Sequence, residues 1–133
     1  MYKCKHFKIH ELIPPEISYL PENILWSLMD DRILIDADDL REKYGKITIN
    51  NWYWGGKFKY SGLRPFSCVE GAPFSQHKFG RALDMKFHDV PVDVPRTDLI
   101  DNPVYWQTTC VEMGVSWLHA DVRNCDSVMM INP

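Results

Sequence analysis

The chain has 133 residues, of which 45% are apolar and 25% charged, with a net charge of −3. That length and apolar content suit one globular domain with a real core and exclude an intrinsically disordered chain. The slightly acidic balance excludes a general basic field for nucleic acid, and apolar runs such as residues 24–26 and 128–131 are far too short to span a bilayer.

Residues 7–10, Phe-Lys-Ile-His, alternate in polarity and predict a short strand; Pro14-Pro15 then forces extended chain. Residues 21–31 predict a helix, with Pro21 in its first turn and Ile24, Leu25, Leu28 and Met29 at helical spacing. A second helix is predicted over 36–44, with Asp36 as N-cap, Asp38 and Asp39 in the positive first turn and Gly45 as its stop. Residues 46–50 are β-branched and alternate, as a strand does. About half of the aromatics Trp52, Tyr53, Trp54, Phe58 and Tyr60 are expected in the core, and the others could line a groove for a glycan. Residues 65–73 read as a loop and 82–87 as a strand carrying Asp84. Residues 95–101 read as a short helix, and 105–113 with 117–122 as an antiparallel hairpin turning at Gly114-Val115-Ser116. The expected fold is α+β in a single domain, residues 1–133, with N-terminal helices packed on a small antiparallel sheet.

Cys4, Cys68, Cys110 and Cys125 form no C-x-x-C pair, and reduced thiols are expected. The start, Met1-Tyr2-Lys3-Cys4, leads into no long apolar stretch. The expectation is therefore synthesis in a cytoplasm without a signal peptide, with no membrane insertion.

The chemistry concentrates in two stretches, residues 75–84 and 116–123. Two histidines and an aspartate, His77, Asp84 and His119, suit a borderline metal such as zinc. Three protein ligands leave a fourth position for water, the mark of a catalytic site. Gly80 lets the chain turn between His77 and Asp84. His119 and Asp121 share a strand face, so Asp121 could orient His119.

The pattern Ser75-x-His77-x-x-Gly80-x-Ala82-x-Asp84, followed by Trp117-x-His119-x-Asp121, resembles the zinc D-alanyl-D-alanine carboxypeptidase family. That family includes phage endolysins that cut peptidoglycan peptides and the vancomycin-resistance dipeptidases; the Hedgehog signalling domain has a similar zinc-binding fold. Ser61-Gly62-Leu63-Arg64 resembles the family's Ser-Gly-Tyr-Arg segment, with Leu63 in place of tyrosine, and residues 47–64 look like the small phage-encoded branch. The resemblance covers about residues 47–123. It implies one zinc ion held by His77, Asp84 and His119, with Arg64 near the substrate carbonyl or carboxylate. It also implies that Ser75 either donates to substrate or caps a local turn. A plain ion pair is the competing reading of Arg64.

The general base is where the chain departs from the pattern. Many family members carry a glutamate three residues before the last histidine; here that position is Ser116, which cannot act as a base near neutral pH. Glu112 and Asp121 are the two carboxylates that could replace it, and Glu112 is favoured. Pairing Glu112 with His119 across the hairpin puts both on one face, similar to the Hedgehog arrangement. Pairing Val111 with His119 turns Glu112 away. The resemblance thus implies a zinc metallopeptidase that hydrolyses peptide bonds of bacterial peptidoglycan and acts at the cell wall; a monomer is expected. The alternative is a catalytically weak or inactive zinc-stabilised binding or virion module.

Overall fold

The computed structural model describes residues 1–133. Three helices, α1 (Glu22–Ser27), α2 (Asp31–Tyr44) and α3 (Asp93–Asp101), accompany five strands: β1 (Ile47–Thr48), β2 (Ala82–Phe87), β3 (Cys110–Glu112), β4 (Leu118–Asp121) and β5 (Met129–Ile131). The strands form one sheet in the order β1-β2-β4-β3-β5. The α+β class holds, and the sheet is mixed rather than purely antiparallel, because β5 runs parallel to β3. No helix is long and apolar enough to cross a membrane.

The sheet's alternation decides where the core and the site lie. Successive side chains of a strand point to opposite faces. Leu83 and Met85 of β2, Leu118 and Ala120 of β4 and Val111 of β3 are fully buried in one apolar cluster with Leu25 of α1, Ile33 and Leu34 of α2 and Leu99 of α3. Burying each of the larger side chains contributes about 1.5–3 kcal/mol. The opposite face of the same strands carries Asp84, Lys86, Cys110, Glu112, His119 and Asp121. Helices therefore cover one face and leave the other for polar chemistry.

Helix α2 shows how local signals were overridden. It starts five residues earlier than predicted, because Asp30, not Asp36, is the cap and accepts from the Arg32 amide at 3.0 Å. Asp30 is extended (φ −68°, ψ 128°), so the chain has left helical geometry there. Helix α1 has already ended at Ser27, short of the predicted residue 31. Asp36 lies inside α2, buried, and accepts from the Gln107 amide (3.0 Å) and from the Thr108 amide and hydroxyl (both 2.7 Å). Those bonds remove residues 107 and 108 from any strand ladder, so β3 begins only at Cys110, not at residue 105. The predicted strand at 7–10 is instead a 3₁₀ turn, Ile9–Glu11. It is closed by the Glu11 carboxylate reaching back to the Lys8 amide at 2.8 Å; Phe7 and Ile9 are buried without strand partners.

The aromatic stretch also differs from expectation. None of Trp52, Tyr53, Trp54, Phe58 and Tyr60 is in the core, and Tyr53 and Trp54 are more than half exposed. The four cysteines are free thiols.

Gly80 joins the helices to the site. Its φ is +68°, and a Cβ there would stand 2.0 Å from the Leu28 carbonyl oxygen. Its own carbonyl accepts from the Asp30 amide at 2.9 Å. Gly80→Ala should therefore cost about 2 kcal/mol or more of stability, read as a shifted denaturant midpoint at unchanged slope.

Candidate metal centre

Asp84 and His119 are direct cross-strand partners on β2 and β4. Strand pairing alone thus places a carboxylate and an imidazole side by side on the polar face. His77 arrives from the 3₁₀ turn Gln76–Phe79, whose cap is Ser75; the Ser75 hydroxyl oxygen accepts from the His77 amide at 3.4 Å. One ligand atom from each of His77, Asp84 and His119 lies within 4.8 Å of the others. The Asp84 Oδ1 atom is the meeting point, 3.2 Å from His77 Nε2 and 2.8 Å from His119 Nδ1.

The far nitrogen of each imidazole is fixed. His77 Nδ1 donates to the Gly62 carbonyl at 2.8 Å, which leaves the Nε2 lone pair facing the site. His119 Nε2 donates to Asp121 Oδ2 at 3.0 Å, which aims Nδ1 the same way. Asp121 is fully buried and is itself clamped by Arg123, whose Nε and Nη2 reach its two oxygens at 2.8 and 2.6 Å. A carboxylate or carbonyl behind each ligating histidine is how metal sites orient imidazoles.

The electrostatics agree. Burial lowers the pKa of His77, against the pull of Asp84, and favours its neutral form. Burial alone would raise Asp84, but the hydrogen bond from His119 Nδ1 and the imidazoles beside it outweigh that and hold the carboxyl well below the usual range. Burial would lower His119, yet Asp121 and Asp84 together push it up to about 9. Loading this site with a cation therefore releases the His119 Nδ1 proton. Two imidazoles and a carboxylate with both tautomers set are a donor set that fits a borderline divalent cation.

The second Asp84 oxygen, Oδ2, accepts from Arg64 Nη2 at 3.2 Å. Arg64 is no surface pair: its side chain is 11% exposed, and Nε donates to the Tyr60 carbonyl at 2.7 Å. It lines an open cleft of about 500 Å³ together with Ser75, His77, Asp84, Glu112 and His119. The cleft brings Glu112 to the same wall as His119. Cys110 pairs with Asp121 and Val111 with Ala120, so continuing the antiparallel ladder sets Glu112 opposite His119. Of the two registers open to the sequence, this is the one that turns Glu112 inward. Asp121 lies behind His119 with both oxygens engaged, in the orienting position. Ser116 is exposed on the turn and is not part of the cleft wall.

Three contributors were not legible as such. Gly62 packs so closely that a Cβ would meet the Leu12 carbonyl at 2.1 Å, and it is the Gly62 backbone oxygen that orients His77. Arg96 of α3 donates from Nη2 to the carbonyls of Val115 and Trp117 at 2.7 and 2.9 Å and so pins the β3–β4 turn. Lys86, two residues after Asp84, is pushed down by burial to about 8, against the pull of Asp84, and is still protonated at neutral pH. Only the period-2 spacing of Lys86 from Asp84 hinted at its place.

Comparison with protein-family models, curated proteins and solved structures finds no match for this chain.

One consequence concerns Asp121. Asp121→Asn should keep the fold but weaken metal affinity about 10- to 100-fold, since a neutral amide no longer supports the basicity of His119. Competition with a chromophoric chelator measures it; unchanged affinity would remove Asp121 from the centre.

Proposed function

We propose that the protein is a zinc-dependent peptidase that hydrolyses an amide bond in peptidoglycan stem peptides. Its type would be the D-alanyl-D-alanine carboxypeptidase or L-alanyl-D-glutamate endopeptidase, as in a phage endolysin, on a Hedgehog/DD-peptidase-like fold. The observation that carries the reading is the convergence of two pre-oriented imidazole nitrogens and one carboxylate oxygen in an open cleft, with Glu112 on the same sheet face.

His77 Nε2, Asp84 Oδ1 and His119 Nδ1 would hold the ion. Zinc bound there supplies Lewis acidity, which acidifies water to a pKa near ~7 and polarises a carbonyl. Glu112, which lines the same cleft, would accept the proton of the attacking water and return it to the leaving amine. Arg64 has N–H groups left over from Asp84, Tyr60 and the Glu70 carbonyl, and these would meet the carbonyl oxygen as negative charge develops on it. The Ser75 hydroxyl accepts from the His77 amide, and its own proton remains for a substrate carbonyl or carboxylate.

The test is cleavage of purified peptidoglycan by zinc-loaded and chelated protein in parallel. The expected result is new amine termini or released D-alanine that vanish on chelation and return with zinc; the products name the bond. Zinc bound one-to-one without any cleavage would overturn the enzymatic reading. The exposed Ser116 at the position of the family's glutamate favours one second reading, a zinc-stabilised binding or virion module, and that result would install it.

A further inference from the structure

The 3₁₀ turn Trp52–Trp54 lies outside the chemistry described above: none of its three residues lines the metal cleft. The chain nevertheless braces this turn closely. The Asn51 and Trp52 amides both donate to the Phe58 carbonyl at 3.0 Å, and the Phe58 amide donates to Asn51 Oδ1 at 2.9 Å. The Trp54 and Gly56 amides reach the Asn51 carbonyl at 3.1 and 3.0 Å. Trp52 anchors the turn, its indole N–H donating to the Ile13 carbonyl at 2.8 Å. Tyr53 stacks on His10, with ring centres 4.0 Å apart and planes 26° apart. A single exposed aromatic is ordinary on a protein surface. Tyr53 and Trp54 are consecutive, each more than half exposed and fixed in place, so a ligand meeting them need not order the surface it binds.

The chemistry of the turn selects its occupant. The Tyr53 and Trp54 planes stand at 77°, with ring centres 5.2 Å apart, so no flat ring stacks on both. A puckered ring turns C–H groups in more than one direction and suits such a corner. The indole N–H groups of Trp26, Trp52 and Trp106 are each taken by a protein acceptor, at 3.1, 2.8 and 3.0 Å. The Trp54 N–H and the Tyr53 hydroxyl have no partner inside the protein and are free to meet the hydroxyls of a ligand. Tyr53 and Trp54 are also the only exposed large apolar side chains between residues 29 and 65. The exposed residues that follow them are Gly55, Gly56 and Lys57. A wedge for a bilayer or for another protein's apolar surface would add aliphatic side chains, and here there are none. Apolar C–H patches edged by hydroxyls are the surface that a pyranose sugar presents.

We propose that the turn Trp52–Trp54, with Tyr53 stacked on His10, is a carbohydrate-binding platform that takes a pyranose ring of an oligosaccharide. The C–H face of the sugar packs on the exposed rings, and its hydroxyls meet the Trp54 N–H and the Tyr53 hydroxyl. The platform needs neither the metal centre nor the peptidase reading.

The test titrates the whole chain with chitotetraose and with cellotetraose, following amide shifts in NMR and tryptophan fluorescence. Adenosine monophosphate, a flat base, and vesicles of phosphatidylcholine and phosphatidylglycerol are run as the rival occupants. At least one tetrasaccharide should shift the amides of His10 and residues 52–57 and saturate below about 10 mM. Trp54→Ala and Tyr53→Ala should each weaken it about tenfold or more. Trp54→Phe keeps a ring and loses the N–H, so its loss should be smaller. Both side chains are exposed, so the variants should keep the parent's far-UV circular dichroism, and the shift map on the parent tests the site with no variant at all. No saturable shift with either sugar, shifts confined to the surroundings of His77 and His119, or unchanged affinity in the folded alanine variants would each overturn the platform. So would tighter binding of adenosine monophosphate, or capture by the vesicles without binding of either sugar. Because this readout uses neither metal nor turnover, a failed cleavage assay and a failed platform are separate results.

Discussion

His77→Ala and Asp84→Ala should each abolish stoichiometric metal binding while β2 and β4 stay paired. Asp84 is the only anion among the three candidate ligands, and its Oδ1 is the atom both imidazoles approach. Losing it should lower affinity by well over the hundredfold or so that an outer partner's loss costs. It also leaves Arg64, 11% exposed, without its carboxylate, so some loss of stability accompanies the loss of metal. His77→Ala separates the two effects. Burial favours the neutral form of His77, so its removal strands no charge. The core face of β2 and β4, built of Leu83, Met85, Leu118 and Ala120, is untouched by either change. The measurements are metal content after dialysis, titration calorimetry and far-UV circular dichroism. A folded variant of either kind that holds metal like the parent would mean that the ligand set is wrong.

Much of this centre is legible in the sequence because it sits on strands with simple periodicity. Ala82–Phe87 forms over the predicted bounds, and its alternation correctly puts Asp84 opposite the apolar Leu83 and Met85. The spacing of His77, Gly80 and Asp84 is likewise a local matter: a capped 3₁₀ turn, a left-handed glycine, then a strand. What is not legible is long-range. Asp36 has the residue type of a cap, yet it pins a loop 71 residues away, and no local pattern shows such a partner. The β3–β4 turn is held from α3 by Arg96, a partner distant in sequence. The exposed residues 129 and 130 give no strand alternation, and their parallel pairing with β3 comes from tertiary placement. The aromatics at 52–60 misled because size suggests burial, whereas here Phe58 and Tyr60 flank lysines and Tyr53 stacks on His10.

The register also decides the second large effect. Glu112→Gln should keep zinc at the parent's affinity and lose turnover on peptidoglycan by about 10²- to 10⁴-fold. Glutamine preserves the volume and the hydrogen-bonding reach of the side chain but cannot take a proton from water. Glu112 is not one of the three converging ligands, so the metal has no reason to leave. A one-residue slip in the β3–β4 pairing would turn Glu112 to the core face and make the same substitution silent for catalysis; the pairs Cys110–Asp121 and Val111–Ala120 exclude that slip. Asp121→Asn supplies the contrast, because Asp121 acts through His119 and its loss lowers metal affinity. Measuring zinc affinity and cleavage rate on both variants therefore separates a proton acceptor from an orienting group. Full activity in zinc-loaded Glu112→Gln would move the base away from β3. The exposed Ser116 cannot fill that role, and Asp121, with both oxygens bonded to His119 and Arg123, would first have to break those bonds.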